Sequence, residues 1–363
     1  MLEVVHCITT LSLGGAEKQL LTLVKTQINS GRKVSIIFLK NSPDLKNNFL
    51  DLGVDVLDVV WNKSFFYQIK ILREFFQKRI CLVHAHLPRA ELLCTITKGK
   101  LPLVITKHNS ERFFPKAPSI ISRLLALYVF EKSDFCISIS NAVMKYLLEI
   151  NEIKFSKKNL VIHYGIDTSL ANDEKFKPSN LNTELKIIGT VARIVPQKDY
   201  PTLLRAFSEM TPQDLGLRLL IAGDGDLKPR MVTMAESLGI SSAISWLGKL
   251  QDIDHFMKSL DLFVLTSIYE GFGLVLLEAG SVSVPILAAA NPAVIEVLGD
   301  NYPGLFTPGN DRELFNQFKQ AESVKYRELL ISVANKRLKL FDQTKMLAAM
   351  NLCYGSIEKS YVK

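Results

Sequence analysis

Two carboxylates bracket an unusual stretch of the sequence, SIYEGFGLVLLEAG at 267–280. Glu270 and Glu278 are separated by seven residues that are only glycine or apolar. The preceding run DLFVLTS is typical of a buried strand and LVLLEAGSV of a helix. Glu270 is therefore predicted in the connecting loop and Glu278 on the helix. One carboxylate could accept hydrogen bonds from sugar hydroxyls and the other from a ribose diol.

The loop between these acids also suits an anion. Gly271 and Gly273 let the backbone approach a ligand closely, because they carry no Cβ. The amides of Gly273 and Leu274 are predicted at the helix N-terminus, where N–H groups can hold a phosphate. Two solvated surface acids would explain neither glycine. The segment predicts a site for a sugar joined to a phosphate.

A second loop supplies positive charge. In GTVARIVPQKDYPTLLRAF, Arg193 follows a predicted strand and Lys198 precedes a predicted helix. Two cations on one strand-to-helix loop can clamp a diphosphate. Taken alone, a pair of solvated loop charges is the simpler interpretation. The clamp is therefore a prediction that depends on the neighbouring loops.

Glycines after the first predicted strand are less specific. In LSLGGAEKQ, Gly14 and Gly15 open a helix whose positive dipole end suits an anion, although an ordinary glycine-containing turn explains them equally well. The spacing is not G-x-G-x-x-G, and AGDGDLKPR has Lys228 where a third glycine would stand. A nicotinamide-dependent oxidoreductase should show that motif cleanly.

Two histidines, His84 and His86, alternate at the end of the predicted strand ICLVHAH and could form a metal pair. A third ligand is not evident nearby in the sequence, so no metal site is predicted. His6, His163 and His255 are predicted to be structural.

The order of elements indicates how these residues are positioned. Short, continuously apolar runs alternate with amphipathic helical stretches, as in parallel strands joined by crossover helices. We predict an α/β protein of two Rossmann-like domains whose sheets face across a cleft, with ligands beyond the carboxyl ends of the strands. The predicted domains are 1–168, which binds the acceptor, and 169–345, which binds the donor. The polar segment 168–185 is predicted as the linker, and a terminal helix at 346–363 is expected to pack back on the first domain.

Charge and cysteine content limit the classes to which the protein can belong. Residues 1–170 carry 23 Lys and Arg against 14 Asp and Glu, a net charge of +9, whereas the remainder carries 21 against 22. A basic half favours anionic partners such as phospholipid, nucleic acid or phosphorylated substrates. The five cysteines contain no C-x-x-C pair and are predicted to be buried thiols of a cytoplasmic protein. MLEVVHCITT reads as a strand and not as a signal peptide, and IISRLLALYVF is too short to span a bilayer.

These motifs together resemble glycosyltransferase family 4, retaining enzymes of the GT-B fold whose motif places two glutamates on either side of seven residues. The resemblance extends through LSLGGAEKQLLTLV, LVIHYGID, GTVARIVPQKDYPTLLRAF, LLIAGDGDLKPRMVTMAESLGI, ISWLGKLQDI and DLFVLTSIYEGFGLVLLEAGSVSVPILAA. It covers the first domain only at intervals. One departure follows PILAA, where AANPAV replaces the family's glycine pair although Glu296 is retained.

The resemblance implies roles residue by residue. Glu278 would bind the donor ribose, Glu270 would contact the transferred sugar, and Arg193 and Lys198 would neutralise the leaving diphosphate. His108, at the end of LVITKH, would be the active-site histidine that reaches the sugar. Further donor contacts would come from Gly14, Gly15, Gly248, Lys249, Leu250, Gly273 and Leu274.

The implied activity is transfer of a sugar from a UDP- or GDP-sugar to a glycan or lipid-linked acceptor. It would proceed with retention and without a metal or cofactor, in making cell-surface polysaccharide, lipopolysaccharide or glycolipid. A sugar-nucleotide epimerase of the same architecture is an alternative that would use the donor without an acceptor. A nucleic-acid-binding protein would explain the basic half but not the two acids, so no nucleic-acid partner is predicted.

Two aromatic and basic segments predict a membrane location. In WNKSFFYQIKILREFFQKR at 61–79, apolar residues at spacings of three and four are typical of a face packed on the sheet. Its aromatics exceed what one such stripe needs, and cations flank them as on an interfacial helix. ERFFPKAPSIISRLLALY is a second such segment, with Phe113 and Phe114 as expected lipid contacts. We therefore expect a cytoplasmic protein bound peripherally to an anionic inner leaflet.

Overall fold

The computed structural model describes residues 1–168 and 184–361, so most of the predicted linker lies outside the described residues. The chain divides into two compact units. Unit 1 comprises Met1–Gly165 together with Gln343–Lys363, and unit 2 comprises Ile166–Asp342. Each unit is built on one sheet in which every neighbouring pair of strands is parallel. The prediction of two parallel-sheet α/β domains is confirmed.

Unit 1 has a seven-stranded sheet in the order β3-β2-β1-β4-β5-β6-β7. Its strands are β1 (Glu3–Ile8), β2 (Val34–Phe38), β3 (Asp55–Leu57), β4 (Cys81–His86), β5 (Leu103–Lys107), β6 (Phe135–Ser138) and β7 (Asn159–Val161). Its helices are α1 (Gly15–Asn29), α2 (Lys46–Asp51), α3 (Phe65–Gln77), α4 (Pro88–Thr97), α5 (Ser119–Lys132) and α6 (Asn141–Glu149). The direction of winding reverses between β1 and β4, which is where ligands bind in open α/β sheets.

The last helix, α15 (Gln343–Tyr361), belongs to unit 1. Met350, Tyr354 and Ile357 on this helix share a buried apolar cluster with Val4 and Leu82 of the sheet. An ion pair of 2.9 Å between Arg32 and Glu358 also ties it to the unit. The apolar face of α15 is therefore part of the core of unit 1.

Unit 2 has a six-stranded sheet in the order β10-β9-β8-β11-β12-β13. Its strands are β8 (Ile187–Val191), β9 (Arg218–Ala222), β10 (Ile244–Gly248), β11 (Leu262–Leu265), β12 (Ile286–Ala289) and β13 (Leu305–Phe306). Its helices are α7 (Tyr200–Ser208), α8 (Pro212–Leu215), α9 (Lys228–Ser237), α10 (Ile253–Lys258), α11 (Leu274–Ser281), α12 (Pro292–Leu298), α13 (Asp311–Ala321) and α14 (Val324–Leu338). The winding reverses between β8 and β11, so the loops that follow these two strands define the ligand edge of the sheet.

All five cysteines are buried free thiols, as their apolar surroundings predict. Burial raises the pKa of Cys136 to about 12, so this thiol is a core residue and not a nucleophile. Among the described residues, no helix has both the length and the apolar character needed to cross a bilayer.

Candidate functional site

The loops after β8 and β11 are joined to each other by hydrogen bonds. Ile268 N–H donates to the Gln197 carbonyl at 2.9 Å, and the Gln197 side-chain amide donates to the Tyr269 carbonyl at 2.8 Å. The Thr266 hydroxyl donates to the Lys198 carbonyl at 2.8 Å. These contacts fix the two loops as one structure, which sets the positions of the side chains they carry.

Lys198 and Glu270 meet where these loops join. Lys198 Nζ lies 2.5 Å from Glu270 Oε1, and the two side chains are only 14% and 10% exposed. A charge pair shielded from water in this way is stronger than a surface pair. An ammonium has three N–H donors, so Lys198 can hold Glu270 with one and a phosphate oxygen with another. The structure thus brings together two residues that the sequence placed on separate loops.

Arg193 and Glu278 lie on the segments that follow β8 and β11, the two strands at the winding reversal. Arg193 follows β8, and its exposed side chain has no hydrogen-bond or ion-pair partner within the described residues. Glu278 is half-buried on α11, the helix that begins after the Glu270 loop. The predicted placement of one acid in the loop and one on the helix agrees with the structure.

The start of α11 depends on Gly273. This residue has φ +88°, a left-handed conformation that glycine adopts without strain, and it caps α11 with no side-chain hydrogen bond. The first amides of a helix have no partner within it. The amide of Leu274 is therefore placed as the sequence predicted, at the positive end of α11.

Gly248 ends β10, and Lys249 and Leu250 follow it. Gly248 has φ +68°, and its carbonyl accepts a hydrogen bond from Gly223 N–H at 2.6 Å. Lys249 is exposed and Leu250 is half-buried. The turn is thus held by a backbone hydrogen bond at the end of a strand, and its contact with a nucleobase remains a prediction.

The glycines of AGDGD have a packing role that the sequence did not reveal. A Cβ on Gly225 would lie 2.8 and 2.9 Å from backbone atoms of Ile194, closer than van der Waals contact permits. Leu227 N–H also donates to the Ile194 carbonyl at 3.1 Å. Gly225 therefore allows the loop after β9 to pack on the loop that carries Arg193 and Lys198.

Asn291, in the AANPAV segment, makes two buried hydrogen bonds. Its buried side-chain amide donates to the Ser267 carbonyl at 2.9 Å, and its side-chain oxygen accepts from Val294 N–H at 3.1 Å. It therefore caps α12 and braces the Glu270 loop at once. The Asn-Pro pair at a helix start was a recognisable capping signal, but its contact with Ser267 was not.

In unit 1, Gly14 and Gly15 begin α1 next to a buried acid. Glu17, on the first turn of α1, accepts a hydrogen bond from Thr10 Oγ1. A Cβ on Gly14 would collide with the Glu17 carboxylate. This carboxylate already complements the helix dipole. Contact of Gly14 and Gly15 with a diphosphate remains a prediction.

His108 is held by two side chains within unit 1. Its Nδ1 lies 2.5 Å from the Tyr164 hydroxyl, and its Nε2 lies 3.1 Å from His86 Nδ1. Burial lowers the pKa of His108 to about 3, so the imidazole is neutral at pH 7. A hydrogen bond from this ring to a sugar would replace one of these contacts, and that role remains a prediction.

His84 and His86 are joined by a third histidine that the sequence left aside. His6 is the register partner of His84 between β1 and β4, and one ring nitrogen of each of the three lies within 4.8 Å of the others. Each of the six ring nitrogens, however, is within hydrogen-bond distance of a protein group. The geometry favours a hydrogen-bonded cluster, and metal independence remains a prediction.

Comparison with solved structures identifies the fold. The chain superimposes on the crystal structure of Anabaena Alr3699/HepE in complex with UDP-glucose with a TM-score of 0.82 and 20% identity, covering 98% of this chain and 100% of the other. The apo form of the lipopolysaccharide outer core galactosyltransferase WaaB matches with a TM-score of 0.67 and 16% identity, covering 98% and 99%. The fold is GT-B, the class with two Rossmann-like units in one chain.

Sequence comparison identifies the family. Residues 13–170 match the model described as Glycosyltransferase Family 4, and residues 171–335 match Glycosyl transferases group 1. The chain belongs to glycosyltransferase family 4, as its motifs predicted.

Two curated relatives illustrate the match. One is the N-acetylgalactosamine-N,N'-diacetylbacillosaminyl-diphospho-undecaprenol 4-alpha-N-acetylgalactosaminyltransferase of Campylobacter jejuni, 25% identical over 63% of this chain and 62% of that protein. The other is the D-inositol 3-phosphate glycosyltransferase of Mycolicibacterium smegmatis, 32% identical over 42% and 36%. The matched regions span less than two thirds of each relative.

Proposed function

We propose that the chain is a retaining glycosyltransferase that transfers a hexosyl-type sugar from a UDP-sugar, or a GDP-sugar, to a lipid-linked glycan in polysaccharide biosynthesis. The observation that carries the proposal is the shielded Lys198–Glu270 pair on the two loops at the winding reversal of unit 2. Family membership favours this activity over that of a nicotinamide-dependent oxidoreductase. We favour a UDP-sugar over a GDP-sugar as the donor, because the Anabaena neighbour is described in complex with UDP-glucose.

The residues would divide the donor between them. Glu278 would accept hydrogen bonds from the ribose diol, and the turn at Gly248 would meet the base. Lys198, Arg193 and the first amides of α11 would hold the diphosphate, while Glu270 would contact the sugar. Preorganised cations and amides stabilise charge that develops on a leaving group without having to reorganise.

In the proposed transfer, the bond from the anomeric carbon to the diphosphate oxygen breaks as the acceptor oxygen bonds to that carbon on the same face. The acceptor's hydroxyl proton moves to the departing phosphate oxygen, so charge and atoms balance. Lys198 and Arg193 offset the negative charge on the diphosphate. No step requires a metal or a cofactor.

Replacing each acid should separate binding of nucleotide from transfer of sugar. Glu278→Ala is expected to reduce the thermal stabilisation by UDP, because the ribose loses its acceptor, whereas Glu270→Ala should keep that stabilisation and lose transfer. A ligand that binds only the folded state raises the melting temperature. The measurement is a thermal-shift series with UDP, GDP and ADP, and equal loss of UDP stabilisation in both variants would contradict the assignment.

The proposed acceptor is lipid-linked, and α5 offers a surface for a membrane. Ile120, Ile121, Leu124 and Tyr128 on this helix are exposed apolar side chains. They are accompanied by exposed cations at Lys116, Arg123 and Lys132. Such a face suits the boundary of an anionic bilayer. The Campylobacter relative is named for a diphospho-undecaprenol acceptor, which supports the same acceptor class here.

The structure corrects which aromatic residues could contact lipid. Phe113 is only 3% exposed and lies 4.4 Å from Lys107 Nζ across its ring face. Its backbone N–H donates to the Glu152 carboxylate at 2.9 Å, which holds it in the core. On α3, Leu72 and Phe76 are likewise buried, whereas Phe66 is exposed. The proposed contact surface is therefore α5 and not Phe113.

Vesicle binding tests this surface. Ile120→Ser with Leu124→Ser should weaken co-sedimentation with vesicles of phosphatidylglycerol and phosphatidylcholine, because each buried apolar side chain contributes about 1.5–3 kcal/mol. Leu352→Ser is the matched control, since Leu352 is an exposed leucine on α15, which packs against α1. Binding should also fall as salt is added. Indifference to lipid charge, or equal effects of both variants, would contradict the proposal.

A further inference from the structure

A continuous hydrogen-bond network runs through the core of unit 1. Its first arm joins Gln27 to His6, His86, His108 and Tyr164 in that order. His6 Nε2 lies 2.9 Å from Gln27 Oε1, and His6 Nδ1 lies 3.0 Å from His86 Nε2. His86 Nδ1 lies 3.1 Å from His108 Nε2, and His108 Nδ1 lies 2.5 Å from the Tyr164 hydroxyl. Every ring nitrogen in this arm has exactly one such neighbour among the network's members.

Gln27 gives the arm its direction. A side-chain carbonyl oxygen only accepts hydrogen bonds, so His6 Nε2 must carry the proton that faces Gln27. A neutral imidazole has one N–H and one lone pair, and His6 Nδ1 therefore accepts from His86 Nε2–H. The same reasoning makes His108 Nε2–H donate to His86 Nδ1, and Tyr164 O–H donate to His108 Nδ1. All three histidines are then in the Nε2–H form.

The second arm follows the other end of the same amide. Gln27 Nε2 donates to the Tyr354 hydroxyl at 3.4 Å, and this hydroxyl lies 2.7 Å from His84 Nδ1. His84 Nε2 lies 2.7 Å from Thr106 Oγ1. If Tyr354 accepts from Gln27 and donates to His84, His84 is also in the Nε2–H form and donates to Thr106. Both arms therefore take their direction from one side chain.

The histidines are neutral, as this logic requires. Burial lowers the pKa of His6 to about 4 and that of His108 to about 3. Burial also holds the pKa of His84 and of His86 well below its usual range, with the neighbouring histidines adding to the effect. An imidazolium would have no lone pair with which to accept in the chain.

We propose that Gln27 is a positioning residue that sets the tautomer of His108 through His6 and His86. His108 is then locked as a neutral Nε2–H ring with both nitrogens engaged. In this state it orients the loop after β5 and does not take a proton from an acceptor. The role of the loop in transfer rests on the proposed function, whereas the tautomer assignment does not.

Imidazole ¹⁵N NMR at pH 7 tests the assignment directly. Spectra that correlate ring nitrogens with ring protons distinguish protonated from unprotonated nitrogens in the protein labelled at histidine, which has six histidines. We expect Nε2–H forms for His6, His84, His86 and His108. An Nδ1–H form, or a mixture, at any of these four in the wild type would overturn the proposal without reference to activity.

Two substitutions test the control by Gln27. Gln27→Glu should keep the hydrogen-bond direction of the first arm, because a carboxylate still accepts from His6. It should reverse the direction of the second arm, because a carboxylate can no longer donate to Tyr354. Only His84 should then change to Nδ1–H. Gln27→Met removes the side-chain oxygen that accepts from His6 Nε2–H. His6, His86 and His108 should then be mixtures of both tautomers. Unchanged tautomers in both variants would show that Gln27 does not set them.

Tyr164→Phe is the matched control at the far end of the first arm. It removes the donor to His108 Nδ1 but leaves Gln27 in place, so His6 and His86 should keep their Nε2–H forms. If the proposed function also holds, Gln27→Met should lower kcat about tenfold with little change in KM for the UDP-sugar, by analogy with the lower end of the loss when a partner that orients a metal-bound histidine is removed. Altered tautomers with normal kcat would refute only this activity consequence, whereas inactivity of the wild type would refute the proposed function.

Discussion

Lys198→Ala is expected to lower kcat for sugar transfer by about 10²–10³-fold, the effect of removing one preorganised donor from a developing oxyanion. The ammonium that pairs with Glu270 would no longer be present to neutralise the leaving diphosphate. The paired carboxylate would also remain at the phosphate site without its cation, which adds repulsion to the loss. Steady-state kinetics of sugar transfer from a UDP-sugar donor provide the measurement.

The control for this prediction is another lysine of unit 2. Lys319 pairs with Glu322 at 2.7 Å, but the two side chains are 50% and 42% exposed. Lys319→Ala should leave kcat within about twofold, since exposed pairs contribute only about 0–1 kcal/mol. Activity of the wild type should survive EDTA. Near-normal turnover of Lys198→Ala, or reversible inhibition by the chelator, would refute the proposed cation clamp.

Lys107→Met is expected to destabilise unit 1 by about 3–5 kcal/mol, because it leaves a buried carboxylate without its cation. Lys107 Nζ lies 2.5 Å from Glu91 Oε2, and the side chains are only 6% and 1% exposed. Burial raises the pKa of the Glu91 carboxyl even with the lysine present. The loss should shrink as the pH falls, since a protonated Glu91 no longer needs a cation.

Urea unfolding can report this effect for unit 1 alone. The chain has two tryptophans, Trp61 in unit 1 and Trp246 in unit 2, so a Trp246→Phe background leaves fluorescence that reports unit 1. Replacing Glu91 by Leu together with Lys107→Met should recover much of the lost stability, because no unpaired charge then remains in the core.

A surface ion pair of the same unit is the control. Lys154 and Glu131 lie 2.7 Å apart but are 64% and 51% exposed. Lys154→Met should cost far less stability than Lys107→Met, because water screens an exposed ion pair. Equal losses for Lys154→Met and Lys107→Met would show that burial of the Glu91 pair does not determine its strength.

The sequence by itself determined the helices and strands, and it determined where on them the residues predicted to bind the sugar nucleotide lie. Continuous apolar runs separated by amphipathic helices specify parallel strands with crossovers, because each pattern reflects local burial that neighbouring residues share. For the same reason the loop position of Glu270 and the helix position of Glu278 followed from the residues around them. The glycine at 273 marked the helix start because few other residues adopt its conformation.

The tertiary structure decided which distant side chains meet. Lys198 and Glu270 are 72 positions apart, and they pair because β8 and β11 are neighbours in the sheet. The partnership of His6 with His84 depends on the register of β1 against β4, and Gln27 joins them only because α1 packs over that register. Strand order and register arise from contacts far apart in the chain, so no local pattern encodes them. The burial of Phe113, whose backbone N–H donates to Glu152, could not be predicted for the same reason. An aromatic residue in a basic loop has the same local sequence whether it faces lipid or the core.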